Sequence, residues 1–124
     1  MKLLVVCLGN ICRSPMGEFI LRELFEEAGL GDRVVVDSAG TTSWEVGNPA
    51  DPRTLAVLER NGHADFGGRE HVARAFEHGW LAERDLVLAA DRGHASTLRS
   101  YARTPEDAAK VRLFRSFDPA AGED

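Results

Sequence analysis

Lys2–Leu8 reads KLLVVCL, an unbroken apolar run behind a single lysine. A strand with one wet face alternates apolar and polar side chains, whereas a strand covered on both faces does not. The run therefore predicts a strand inside a parallel sheet. Parallel neighbours need a long crossover, usually a helix, and the residues that follow supply one. Ser14 is suited to cap a helix and Pro15 to its first position, where a missing N–H is harmless. Met16, Phe19, Ile20, Leu24 and Ala28 then recur at helical spacing, and Gly29 offers a stop.

The same alternation continues down the chain. Arg33–Val36 (RVVV) predicts a second strand ending at DSAG, followed by the polar loop GTTSWEVGNPA, which carries Trp44 and Val46. Asp51-Pro52 repeats the cap-then-proline signal, and Leu55, Val57 and Leu58 predict a helix closing near Gly62. Further helices are expected over Glu70–His78, Asp91–Tyr101 and Pro105–Lys110, with strands at Asp85–Ala90 and Val111–Phe114. No repeat or low-complexity segment interrupts this order. Strands alternating with helices imply α/β class: one domain over residues 1–124, a four-stranded parallel sheet flanked by helices, doubly wound in the flavodoxin-like manner. Such sheets bind ligands beyond the C-terminal ends of their strands. Cys7 lies at that end of the first strand.

Composition narrows the function classes. The 124 residues are 44% hydrophobic and 28% charged with a net charge of −5, so neither a nucleic acid nor an anionic membrane is the expected partner. The N-terminus lacks the apolar stretch and small-residue cleavage site of a signal peptide, and no run approaches membrane-span length. Two cysteines, one beside an arginine, suggest reduced thiols in a cytoplasm.

The residues CLGNICRSP, Cys7–Pro15, carry the chemistry. Gly9 and Asn10 tolerate left-handed backbone, so the loop can curl tightly. A curled run of N–H groups forms an anion-binding nest, and the helix behind it aims its positive end at the same point. Arg13 adds a planar fork for two oxygens of a tetrahedral oxyanion, and Ser14 can donate to a thiolate at Cys7. Taken singly, a cysteine ending a buried strand is a small core residue and an arginine after a turn is solvated. A zinc site from Cys7 and Cys12 lacks the cluster that would complete four ligands, and no metal or cofactor is expected. The combination Cys-x5-Arg-Ser at a strand-to-helix turn points instead to phosphate.

This loop resembles the phosphate-binding signature of the low-molecular-weight protein tyrosine phosphatases. VVVDSAGTTSWEVGNPADPRTLAVLERNG, LVLAADRGHASTLR and RLFRSFDP resemble that family in order, so the likeness covers essentially the whole chain. It implies hydrolysis of protein phosphotyrosine through a phosphocysteine on Cys7, with the oxygens held by Arg13 and the amides of Leu8, Gly9, Asn10, Ile11, Cys12 and Arg13. Inorganic phosphate or another oxyanion would occupy the same loop. The resemblance further implies that Ser14 stabilises Cys7, that Asn10 and Ser38 brace the loop, and that Trp44 flanks the pocket, against the plainer reading of Trp44 as a core anchor. Ile11, where some relatives with phosphoarginine preference have threonine, favours an aryl phosphate. Cys12 matches a cysteine that can capture an oxidised Cys7 as a disulfide; its plainer role is packing.

Other positions depart from the family pattern. The family often places a histidine two residues before an arginine in the segment matching FGGRE, where this chain has Gly67. His63, His71, His78 and His94 read as solvated. The family's general acid lies in an Asp-Pro-aromatic loop near the C-terminus, but Asp118-Pro119 is followed by Ala120 and Ala121 and matches an earlier Asp-Pro. The chain is therefore expected to be a portion of a longer protein, with the acid loop and last helix beyond residue 124. Without them, apolar residues of the first helix and one sheet face would be uncovered. A non-catalytic phosphate-binding module is the alternative if the acid is truly absent. Arsenate reduction on the same fold ranks lower, because no cysteine follows Cys12.

Overall fold

β1 (Lys2–Cys7) is the strand that the opening run predicts, and its side chains feed two buried layers. Leu4 and Val6 join Ala39, Leu81, Val87, Ala89, Ala95, Leu98 and Val111 on one face. Leu3 and Val5 join Val36 on the other, with Leu21, Phe25 and Phe114 packed against them. Each fully buried Leu or Val contributes about 1.5–3 kcal/mol. A polar residue at either parity would face one of these layers, which is why the run does not alternate. The computed structural model describes residues 1–62 and 71–117.

After β1 come α1 (Arg13–Glu27), β2 (Val35–Gly40), α2 (Pro52–Arg60) and the short α3 (Trp80–Glu83). β3 (Leu86–Ala89), α4 (Arg92–Ser100), α5 (Pro105–Ala109), β4 (Val111–Leu113) and a 3₁₀ turn over Phe114–Phe117 complete the described order. The sheet runs β2-β1-β3-β4 with every pairing parallel. β1 sits between β2 and β3, so the connections leaving β1 and β3 diverge to opposite sides and open a crevice above their C-terminal ends. Cys7, in register with Gly40, lies at the floor of that crevice. Among the described residues no helix is long and apolar enough to cross a membrane.

Cap chemistry fixes two helices as expected. Asp51 accepts from the Arg53 N–H at 2.8 Å ahead of Pro52, and the Arg53 side chain and backbone pull its carboxyl down to about 2. Gly29 and Gly62 take φ of +77° and +80° just beyond α1 and α2, a conformation that glycine reaches without a Cβ penalty.

Three local expectations are corrected. Ser14 is not the cap of α1, which starts at Arg13 with Cys12 before it and no side-chain cap; the Ser14 hydroxyl is committed elsewhere. The second strand begins at Val35 and runs through DSAG, because Asp37, Ser38, Ala39 and Gly40 all pair with β1. The helix expected over Glu70–His78 does not form in its described part. There the backbone is spent on tertiary bonds: the Gly40 N–H donates to the Arg74 carbonyl and the Phe76 N–H to the Gly40 carbonyl, both at 2.8 Å. Glu70 itself lies outside the described residues, as do His63, Gly67 and Asp118-Pro119.

Candidate active site

The loop from Leu8 to Cys12 is held by its carbonyls. Those of Cys7 and Leu8 accept from the N–H groups of Thr41 and Thr42 at 2.9 and 3.1 Å, and that of Ile11 accepts from Asp51 at 2.7 Å. The Asn10 carbonyl accepts from Nε2 of His71 at 2.6 Å. With these oxygens turned outward to neighbours, the loop's donors are left over. Among the described residues, no group accepts from the N–H groups of Gly9, Asn10, Ile11 or Cys12. Consecutive amides arranged this way make a concave site for an anion.

Asn10 sets the curl. It has φ of +62° and is fully buried, and its side chain repays the unusual backbone with a set of bonds. Its Nδ2 donates to Ser14 Oγ at 2.8 Å and to Ser38 Oγ at 2.9 Å, while its Oδ1 accepts from the Arg74 N–H at 2.9 Å. Ser38 in turn donates a hydrogen bond to Glu18 Oε1. Because Ser14 Oγ accepts from Asn10, its proton is free to point at Cys7 Sγ, 3.0 Å away. The Ser14 N–H donates to the same sulfur at 3.4 Å. Asn10 and Ser38 are thus loop braces, and Ser14 is the hydroxyl beside the thiol.

Arg13 opens α1 with a half-exposed side chain, its guanidinium 3.4 Å from Asp91 Oδ2 and 3.2 Å from His94 Nε2. Trp44 is 75% exposed, which removes the core-anchor reading; Leu8 is 46% exposed, and Ile11 is half-buried. Cys7 and Cys12 are both free thiols. Burial pushes the Cys12 thiol up, opposed by a hydrogen bond to Thr54. Among the described residues no group of three or more His, Cys, Asp or Glu could hold a metal.

Two of the described histidines, His71 and His94, are not the solvated side chains that the sequence suggests, whereas His78 is exposed as expected. His71 braces the loop carbonyl and meets Phe19 edge-on. His94 is 8% exposed, and His78 stacks on Tyr101 at 4.0 Å between ring centroids. A histidine does precede an arginine here, His71 lying three residues before Arg74, and it is His71 that bonds the loop carbonyl of Asn10. Arg74 also donates to the Ser38 carbonyl and to Asp37. Glu18, His71, Arg74, Asp91 and His94 were legible only as polar residues, because each acts across the fold.

Gly40 is a further missed position. A Cβ there would lie 2.7 Å from the Leu8 carbonyl oxygen, 3.0 Å from the Gly9 carbonyl carbon and 3.1 Å from the Asn10 nitrogen. All three are backbone atoms, so the loop must move. Gly40→Ala is expected to lower stability by about 1–3 kcal/mol and kcat by about 10²-fold, through misplacement of the loop. Urea unfolding and p-nitrophenyl phosphate turnover check this, and a variant with unaltered kcat would show that the close approach is dispensable.

Comparison with known proteins agrees with this geometry. The family model for low molecular weight phosphotyrosine protein phosphatases matches residues 2–124. A low molecular weight protein-tyrosine-phosphatase of Streptomyces coelicolor is 55% identical over 120 residues, covering 96% of this chain and 71% of that protein. The crystal structure of YfkJ from Bacillus subtilis superposes with a TM-score of 0.89 at 33% identity, covering 98% of this chain and 74% of that one. A drosophila arginine phosphatase superposes with a TM-score of 0.82 at 34% identity, covering 94% and 72%. The chain belongs to the low molecular weight phosphotyrosine protein phosphatase family, and its activity is that of a protein-tyrosine phosphatase.

Proposed function

We propose that Cys7 is the nucleophile and that Arg13, with the loop amides from Leu8 to Arg13, holds the phosphate of a phosphotyrosine protein. The carrying observation is the Cys7 sulfur at the floor of the loop, beside a Ser14 hydroxyl whose acceptor side is already taken by Asn10. In the first step the Sγ–P bond forms as the P–O bond to the tyrosyl oxygen breaks, and that oxygen leaves as a phenolate that takes its proton from solvent. In the second, water attacks phosphorus, the P–S bond breaks and inorganic phosphate departs. Ser14 donates to the sulfur at both ends of the cycle, where it carries most negative charge. The loop amides and Arg13 meet the equatorial oxygens, whose charge is redistributed in the transition state. Asp118 lies outside the described residues and has no role in this assignment.

The half-buried Ile11 and exposed Leu8 are apolar members of the loop, and the exposed Trp44 follows Thr41 and Thr42, whose N–H groups bond the carbonyls of Cys7 and Leu8. That favours a flat aryl group, on which Trp44 can stack. Because one structural neighbour is an arginine phosphatase, the decisive comparison is a phosphotyrosine against a phosphoarginine peptide of the same sequence. The kcat/KM ratio is expected to favour phosphotyrosine by at least about tenfold, and Ile11→Thr to reduce that preference. A preference for phosphoarginine would overturn the substrate assignment while leaving the cysteine chemistry intact.

A further inference from the structure

The Arg13 guanidinium meets two side chains of the turn between β3 and α4. Asp91 Oδ2 lies 3.4 Å from Nη1 and 3.5 Å from Nη2, both long for charge-assisted bonds. His94 Nε2, 3.2 Å from Nη2, is the nearer partner. His94 is nearly buried and is anchored by its own backbone, whose N–H donates to Asp91 Oδ1 at 3.0 Å where Asp91 caps α4. A guanidinium carries only donors. Its contact with Nε2 is therefore a hydrogen bond only when that nitrogen bears a lone pair, which fixes a neutral imidazole with its proton on Nδ1.

We propose that His94 is a positioning residue for the phosphate clamp: through Nε2 it accepts from Arg13 and, together with Asp91, sets the plane in which the guanidinium faces the Cys7 loop. This rests on the reading of Arg13 given above. An arginine side chain 56% exposed has many rotamers open to it, and two long contacts to a single Asp91 oxygen leave the fork free to swivel about it. A second acceptor at a different angle removes that freedom.

The same arrangement makes the clamp sensitive to pH. The described charged groups against the imidazole are Asp91 ahead of α4, whose Oδ2 lies 3.4 Å from Nε2, and Arg13 from α1; Arg115 of the 3₁₀ turn lines the groove beside Arg13 and Asp91. Burial holds His94 below its ordinary range; Asp91 opposes this and Arg13 adds to it. Protonation puts an N–H on Nε2, facing the donors of Arg13, so the bond becomes a repulsion and the guanidinium turns away. Activity should therefore fall as pH drops below the usual imidazole range.

The test compares His94→Ala and His94→Gln with wild type, measuring kcat and KM for p-nitrophenyl phosphate between about pH 4.5 and 8, and Tm for each. His94→Ala is expected to lower kcat about tenfold, the equivalent of one hydrogen bond to a charged group, with little change in KM. His94→Gln should restore most of it, because its amide oxygen can reach the place of Nε2, and should lose the imidazole step from the acid limb of the kcat profile. Wild-type kcat in His94→Ala, no rescue by His94→Gln at unchanged Tm, or an unaltered acid limb in His94→Gln would each overturn the proposal. Arg13→Lys separates the two readings. If it is near-normal, the clamp assignment fails; if it collapses while His94→Ala does not move, only the role of His94 fails.

Discussion

Cys7→Ser is expected to lower turnover of p-nitrophenyl phosphate by at least about 10⁴-fold while leaving fold and anion binding in place. The two side chains differ little in size, and the Cys7 site at the end of β1 is buried and bonded through Ser14, so an Oγ fits where the Sγ sits. The chemistry does not transfer. A serine hydroxyl is a weak nucleophile unless an adjacent base takes its proton. Ser14, the nearest hydroxyl, is itself committed to Asn10. Phosphate binding should survive, because the Gly9–Cys12 amides and Arg13 are untouched. Calorimetric titration with inorganic phosphate, beside a single-turnover assay, separates the two effects, and wild-type activity should persist in EDTA. Residual turnover within tenfold of wild type, or loss of activity in EDTA, would remove Cys7 from the nucleophile's place.

That prediction could be written from the sequence because the loop's chemistry is local. Gly9, Asn10, Arg13 and Ser14 lie within seven residues of Cys7, and the apolar run before them could only be a strand covered on both faces. Asp51-Pro52 and the helix-ending Gly29 and Gly62 were legible for the same reason, since a cap acts over one turn. What was not legible acts at long range. Gly40 matters because Leu8 passes 2.7 Å from where its Cβ would be, and nothing near Gly40 in sequence announces that. His71 reaches Asn10 across 61 positions and His94 reaches Arg13 across 81. A helix is expected over Glu70–His78, yet the backbone of its described part is claimed by Gly40, Gly47 and Asn48. Ser14 failed as a cap through the same competition: a cap accepts through its oxygen, and Ser14 Oγ already accepts from Asn10 and lies against the sulfur of Cys7.

Arg13→Lys should be nearly as damaging as loss of the nucleophile, with kcat falling by about 10³-fold, in the range for removal of a preorganised donor. Charge is conserved in this change, so whatever is lost belongs to geometry. The guanidinium presents parallel N–H groups that can span two oxygens of a phosphoryl group, whereas an ammonium is a point charge on a flexible stem. The difference is greatest in the transition state, where the equatorial oxygens flatten into the plane that a fork can match. The loss should therefore appear mainly in kcat, with KM rising less, the pattern of an interaction stronger in the transition state than in the ground state. The surroundings sharpen the expectation. Asp91 and His94 are arranged to hold both Nη atoms of a planar group, and a lysine cannot meet both acceptors while reaching the loop. Effects at the two positions should then be non-additive, because residues that act as a unit do not sum. In an Arg13→Lys background, His94→Ala should change kcat by less than about twofold, against about tenfold in wild type. Additive losses would place His94 and Arg13 in separate roles, and an Arg13→Lys enzyme with near-normal kcat would mean that charge alone, and not the fork, holds the phosphoryl group.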